Sequence, residues 1–407
     1  MKLNGTIRGV DRLGVLVEHS EWGLRGHHLY RVSKDVPLNP PLAQQPPHEI
    51  LVKGAAELLV TKERIYCLEA PPAHAFNGRL DYLPTGERPT PEPKVLASEV
   101  NHMLGEWDGA IYALRLRPGF DQTGLTPSQV RAVSAIDGYL EGWGATSYQW
   151  RFRYDLLRIR QDGTTDVIGE VPRTVDAYFE GYVYGTSFDG SSKELNVFRL
   201  SVSGGAPEVL YQRKKRPTGL GGGIDGLGRV AVDRDGVFLL DHGDGLVLRL
   251  PHAGGEPQVL KRGLAWAGGI RLVSDYLLID LYMAESQLVL LKNGEKPTWH
   301  SSDDDPRFGT GRSGNTDIWV EALDGDFQYV LGRRAALPSV DLYTYDDRPA
   351  GFVYEYLPGG TINARRFPLR EGHAFMGPLG IDEDCLYYTR NDGHNTWFYA
   401  MPKPAIR

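Results

Sequence analysis

The sequence predicts an all-β fold, and three observations support this prediction. The chain of 407 residues contains 49 glycines and 21 tyrosines, and it lacks the apolar spacing of long helices. Short segments that alternate apolar and polar residues are separated by turn residues along the whole chain. A segment with four such strands also recurs. Together these features are typical of many short antiparallel strands joined by tight turns.

The clearest copy of the repeated segment is "VAVDRDGVFLLDHGDGLVLRLPHAGGEPQVL", which spans Val230 to Leu260. Its first strand ends at Asp235-Gly236 and its second at Asp244-Gly245, and Asp-Gly pairs favour two-residue hairpin turns. The third strand alternates apolar and polar residues and ends before Gly254-Gly255. The stretch therefore predicts a four-stranded antiparallel meander.

Other copies follow the same plan. "FRLSVSGGAPEVL" resembles "LRLPHAGGEPQVL" about 50 residues later, and Ala56–Ser98 and Gly268–His300 show similar patterns. Four-stranded units at this spacing indicate a β-propeller, because a lone meander cannot bury both of its faces. The alternatives are a pair of β-sandwiches or a helix-containing enzyme domain, and sandwiches would not give the same turn at the same place in successive units.

We expect one propeller domain over residues 1–407, most simply with seven blades, eight being the alternative count. The C-terminal copy has three strands, so we expect an N-terminal strand to complete it and close the ring. The predicted blades are 1–54 plus 372–407, 55–100, 101–170, 171–215, 225–263, 266–302 and 314–371.

Composition excludes some function classes. A net charge of −7 leaves no basic excess to neutralise nucleic-acid phosphates. No apolar run is long enough to cross a bilayer, and two cysteines do not make a disulfide framework. We expect a cytoplasmic monomer that binds neither nucleic acid nor membrane, the alternative being a mature secreted form that has lost its signal peptide.

The motifs "VAVDRDGVFLLDHGDGLVLRLPHAGG" and "LNVFRLSVSGGAPEVL" resemble the bacterial propeller repeats of the YWTD, NHL and TolB-like kind. The resemblance implies the propeller fold and leaves activity open, because these families include scaffolds, receptors, lyases and lactonases. A more distant similarity to streptogramin lyase-type propellers implies a chemistry that uses histidines and a magnesium ion.

Several histidines fall where a propeller binds ligands. Propellers bind ligands on the face formed by the loops that join second to third strands and by the loops that lead into the next first strand. We call this face the top face. Converging imidazoles beside carboxylates can hold a divalent ion or act as a general base. We expect His102, His373 and His394 as catalytic residues if the protein is an enzyme. The predicted metal ligands are His373, His394 and Asp392, with Mg²⁺ or Ca²⁺ as the expected ion and no cofactor that the sequence requires.

Aromatic and arginine side chains give a second signal on the same face. Such residues dominate binding sites because they bury a large area at low entropic cost. The predicted ligand-binding residues are Trp266, His242, Asp241, Trp143, Trp150, Arg151, Arg153 and His74.

Two function classes follow from these residues. The favoured hypothesis is a binding platform whose top face and central channel hold a peptide, protein or small-molecule ligand. The alternative is a lyase or hydrolase, assisted by a divalent metal, with its histidine site at the channel mouth. A cysteine nucleophile is not expected, because Cys67 and Cys385 lie in strands among apolar neighbours.

Overall fold

A computed structural model describes fifteen segments of the chain. They are residues 6–20, 27–33, 48–69, 77–86, 92–117, 153–171, 175–189, 192–215, 226–264, 267–281, 286–301, 316–335, 345–367, 376–391 and 396–404. Every regular element within them is a β-strand, which confirms the all-β prediction. The described part of the chain contains no helix with the length and apolarity that crossing a bilayer requires.

The N-terminal strands form one continuous antiparallel sheet that contains two units. The strand β4 is long enough to pair with β3 through its first part and with β5 through its second part. Unit 1 therefore ends, and unit 2 begins, within β4. The seven strands are β1 (Thr6–Val10), β2 (Gly14–Ser20), β3 (His27–Ser33), β4 (His48–Val60), β5 (Arg64–Glu69), β6 (Gly78–Pro84) and β7 (Lys94–Val100).

Three complete four-stranded sheets follow, and they make units 3, 4 and 5. Unit 3 contains β8 (His102–Trp107), β9 (Ala110–Leu116), β10 (Tyr154–Ile159) and β11 (Thr165–Val171). Unit 4 contains β12 (Val175–Phe179), β13 (Tyr182–Asp189), β14 (Glu194–Ser201) and β15 (Glu208–Lys214). Unit 5, the segment with the clearest repeat pattern, contains β16 (Leu227–Asp233), β17 (Gly236–Asp241), β18 (Leu246–Leu250) and β19 (Gln258–Arg262).

The last three units depart from this plan. Unit 6 contains β20 (Ala267–Val273), β21 (Tyr276–Leu281) and β22 (Ser286–Leu291), and β23 (Thr298–Ser301) follows it in the chain. Unit 7 contains β24 (Thr316–Asp324), β25 (Phe327–Ala335), β26 (Tyr345–Leu357) and β27 (Thr361–Phe367). Unit 8 contains β28 (Met376–Ile381), β29 (Cys385–Asn391) and β30 (Thr396–Pro402).

The strand β23 differs from the expected blade 266–302. It pairs in parallel with β27 and so extends the sheet of unit 7, whereas β20–β22 form a sheet of their own. The side chain of Trp299 packs against Tyr354 with the two rings nearly perpendicular and 5.7 Å apart. This aromatic contact, which no local pattern in the sequence reveals, holds β23 on the neighbouring unit.

Eight hydrophobic clusters join the units in cyclic order, and each cluster takes its buried residues from two neighbouring units. The eighth joins unit 8 to unit 1, where Tyr387 lies in one cluster with Ile7 and Val15. The described residues thus make eight units, which is the alternative count. Within them the N-terminal strands do not hydrogen-bond to β28–β30. The two units contact each other through side chains instead, because β1–β4 already form a sheet among themselves.

The first strand of every unit is interrupted near its start by a shift in register. Such β-bulges bend a strand and redirect side chains, and they are common next to functional sites. Because first strands begin at the top face, the shifts fall where the chain carries Arg8, Glu57, His102 and Asp176. The fold thus places charged groups at the top face, near the start of several first strands.

Candidate functional site

Ion pairs between a carboxylate and an arginine recur at the top face. Asp81 is bound by Arg79 in unit 2, Asp155 by Arg115 in unit 3, and Asp241 by Arg213 of the preceding unit. In each pair the carboxylate is more buried than the guanidinium. Charge-assisted hydrogen bonds of this kind compensate the carboxylate for its loss of water.

In unit 1 the buried carboxylate is shared between an arginine and a histidine. Glu18, near the end of β2, contacts Nε of Arg8 through one oxygen and Nδ1 of His27 through the other. Burial alone would raise the pKa of Glu18, but hydrogen bonds from His27 and Arg8 and their charges lower it to about 2. Glu18 is therefore ionised at neutral pH.

His27 connects this group to unit 2. Its hydrogen bond to Glu18 raises the pKa of the imidazole, and this effect outweighs the opposing one of burial. Its backbone pairs with Ala55 on β4, two residues before Glu57, and the charge of Glu57 raises the pKa of His27 further. A histidine with a raised pKa carries a larger positive charge at neutral pH than a free one.

Glu57 in turn holds the first residue of unit 3. Its Oε1 lies 2.6 Å from Nδ1 of His102, and its Oε2 accepts a hydrogen bond of 2.9 Å from the backbone N–H of Met103. An ionised carboxylate can only accept, so the proton of this contact lies on Nδ1 of His102. The arrangement fixes the orientation of the ring and leaves Nε2 directed elsewhere.

We call these five side chains the His–Glu cluster: Arg8, Glu18, His27, Glu57 and His102. They come from five strands of three consecutive units, and the side chains of Arg8, His27 and His102 are all partly exposed. Two fixed carboxylates with cationic and imidazole groups around them can bind a polar ligand or transfer a proton.

Two predicted binding residues lie in unit 5, where they form a separate group. Both oxygens of Asp241 are bound by Arg213, at 2.6 and 2.7 Å, and one oxygen also accepts the backbone N–H of Gly243. Asp241 is only 1% exposed, so its oxygens are not available for direct contact with a ligand.

His242 follows at the same turn. A Cβ atom added to Gly228 would lie 3.0 Å from Nε2 of His242, so the glycine leaves room for the ring beside the bulge of β16. Burial, together with the charge of Arg213, lowers the pKa of His242. Its imidazole therefore carries less positive charge at neutral pH than that of a free histidine.

Arg153 belongs to a third group at the top of unit 3. Its Nε lies 3.4 Å from Glu170, which also binds Arg117, and Arg117 contacts Asp155 at 3.3 Å. The side chain of Arg153 is about half exposed, which is compatible with the predicted role in ligand binding.

The other predicted site residues lie outside the described residues. They are His74, Trp143, Trp150, Arg151, Trp266, His373, Asp392 and His394. Within the described ranges no three histidine, cysteine, aspartate or glutamate side chains form a group that could hold a metal ion. The predicted metal ligands themselves thus remain a prediction.

Four members of the cluster were not predicted from the sequence. His102 was predicted because it precedes a first strand, whereas the N-terminal region that contains His27 was expected only to supply a strand that closes the ring. His27 and Glu18 lie across a hairpin from each other, and Glu57 is 45 residues from His102. The signal that was available is an ionisable residue near the top end of each of several neighbouring strands.

No family model matches the chain, and a search of curated proteins gave no match. Among solved structures, the chain is similar to the computationally designed protein Ika8, with 10% identity, 98% of each chain covered and a TM-score of 0.49. It is also similar to a prolyl endopeptidase structure, with 10% identity, 99% of this chain and 51% of that chain covered, and a TM-score of 0.45.

A third similar structure is the β-propeller domain of the Trilobed protease from Pyrococcus furiosus. The identity is 9%, 65% of this chain and 70% of that domain are covered, and the TM-score is 0.37. These similarities carry no argument about this chain. The sheets described above, packed in cyclic order, define a β-propeller.

Proposed function

We propose that the protein is a binding platform, and that a peptide, protein or small-molecule ligand binds at the top face over the His–Glu cluster. The observation that carries this proposal is that five ionisable side chains from three units lie at the top face, and that four of them are partly exposed: Arg8, His27, Glu57 and His102. A propeller is rigid, so such groups are preorganised and little ordering cost is paid on binding.

The test is a thermal-shift panel of peptides and small polar compounds against the full chain. A ligand that binds only the folded protein raises the unfolding midpoint, by about 2.7 kcal/mol of stability at a hundredfold excess over its Kd. The variant His102→Ala should remove most of the shift caused by any hit. The control is His300→Ala, since His300 is an exposed histidine on β23.

A hit whose shift is the same in His102→Ala and in the control would show that the ligand binds away from the cluster. If every hit behaved in this way, the proposal would be wrong.

A second candidate function is general acid–base catalysis by a hydrolase or lyase, and it is favoured by the contact between Glu57 and His102. Because Nδ1 carries the proton, Nε2 has a lone pair that can accept a proton from substrate. If His102 acts as this base, the rate of the reaction should fall as the pH is lowered and the imidazole becomes protonated. Glu57→Gln should then reduce kcat by more than it changes KM.

The divalent-metal form of this candidate rests on His373, His394 and Asp392. Protein stripped with EDTA would be titrated with Mg²⁺ and Ca²⁺ and followed by thermal shift. A shift that disappears in His373→Ala would support it, and no shift with either ion would exclude these ions as ligands.

A further inference from the structure

We infer that the ligand group recognised by the His–Glu cluster is a carboxylate, such as the C-terminus of a peptide or a small carboxylic acid. This inference rests on the proposed function and names the class of ligand that the cluster accepts. It follows from which hydrogen-bond acceptors and donors of the cluster already have a partner within the protein.

Each carboxylate oxygen of the cluster already has a partner within the protein. One oxygen of Glu18 contacts Arg8 and the other contacts His27. One oxygen of Glu57 binds the ring of His102, and the other binds the backbone N–H of Met103. A cationic ligand would have to compete with these partners for each carboxylate.

Only some of the nitrogen donors of the cluster have a partner. Arg8 contacts Glu18 through Nε, and within the described residues no partner is found for its two terminal nitrogens. In the same part of the chain, Nε2 of His27 has no partner either, and this nitrogen carries a proton when the imidazole is charged. Arg8 and His27 are the two most exposed members, whereas Glu18 is buried and both oxygens of the partly exposed Glu57 already have a partner. The ligand therefore meets N–H groups rather than oxygens.

The geometry of these donors suits a carboxylate. The terminal nitrogens of a guanidinium form a planar fork that matches two oxygens on one atom. His27 lies beside the fork, and its hydrogen bond to Glu18 raises the pKa of its imidazole, which increases the positive charge there. The groups that face His27 are Glu18 on β2, Arg8 on β1 and Glu57 on β4, and the first two form a net neutral pair.

The experiment is a side-chain NMR titration of the full chain labelled at histidine with ¹⁵N and ¹³C. The signals of His27 and His102 are assigned with His27→Gln and His102→Gln. Three probes are compared: N-acetyl-dialanine as the free acid, the same compound as its C-terminal amide, and inorganic phosphate. Arg8→Gln is the test variant, and Arg234→Gln is the matched control because Arg234 is a highly exposed arginine in the β16–β17 hairpin.

We expect the free acid to shift the His27 and His102 signals and the amide to leave them in place. Arg8→Gln should weaken binding of the acid about tenfold or more, which is about 1.4 kcal/mol. Arg234→Gln should bind as the wild type does. This pattern would support a carboxylate site.

Three results would overturn the inference. Equal binding of acid and amide would show that the carboxylate is not recognised, while the binding platform itself would stand. Tighter binding of phosphate than of the acid would replace the carboxylate with a phosphate group. No change at His27 or His102 with the acid, up to its solubility limit, would reject a carboxylate site, and the panel with His102→Ala would then decide separately whether the platform survives.

Discussion

The two ends of unit 1 each contain a buried carboxylate bound by an arginine, and they differ in how exposed the arginine is. At the bottom, Asp11 and Arg31 contact each other at 2.9 Å with side chains 3% and 1% exposed. At the top, Glu18 is 7% exposed but its partner Arg8 is 47% exposed. A pair with both members buried stabilises the fold, whereas a pair with an exposed cation keeps donors available to a ligand.

The bottom pair also joins neighbouring units. Asp11 accepts the backbone N–H groups of Leu13 and Gly14 in its own hairpin and that of Gly86 in unit 2. Elsewhere on this face, Lys292 of unit 6 binds Asp233 and Asp235 of unit 5, and Lys403 of unit 8 binds Asp324 of unit 7. Acidic hairpins of one unit thus hold the next unit along the chain.

The largest expected effect comes from breaking the bottom pair. Arg31→Met would leave Asp11 buried without its cation, and we expect a loss of about 3–5 kcal/mol of unfolding free energy, measured by urea denaturation. The matched change at the top, Arg8→Met, should cost about 1 kcal/mol or less because Arg8 is exposed and His27 still contacts Glu18. Equal losses in the two variants would show that the two ends have the same role.

A smaller effect is expected from Glu18→Gln. The pKa of Glu18 falls from 4.5 to about 2 on folding, so its ionisation stabilises the native state above pH 4.5. This contribution, on the order of 2 kcal/mol, should disappear as the pH falls through about 2. The measurement is the unfolding free energy of wild type and variant from pH 7 to pH 2. A difference between them that does not depend on pH would contradict the assignment.

The smallest effect concerns His27. Because its folded pKa is raised above 6.5, its pairing with Glu18 stabilises the protein below pH 6.5 and is lost as the pH rises through the raised value. NMR titration should therefore give a pKa above 6.5 for His27 and a value closer to 6.5 in Glu18→Gln. Glu49→Gln is the control, since Glu49 binds Arg31 and not His27.

Much of the fold could be predicted from short stretches of sequence. A turn lies between β16 and β17 as expected, although its two residues are Arg234 and Asp235 because Gly236 already pairs with Asp233. The β19 strand follows Gly254-Gly255. These features depend on local backbone preferences, which a few residues specify. The position of β23 could not be read in this way, because it depends on Trp299 packing against Tyr354, 55 positions along the chain.

The candidate site was predicted in smaller part. His102 was placed near the start of a first strand, and the structure shows it there, in contact with Glu57. Asp241 was selected for its position after a strand, yet its oxygens are all directed into the protein. The sequence pattern shows where a residue lies along a strand, but it does not show whether its side chain already has a partner.

The sequence by itself thus determined the strands, their turns and the repetition of the four-stranded unit, because alternation and turn chemistry act over a few neighbouring residues. Only the tertiary structure decided which units touch and which charged groups meet. Contacts such as Glu57 with His102, or Asp11 with Gly86, join residues 45 and 75 positions apart. They exist because packing brings these residues together, and no property of either residue alone predicts its partner.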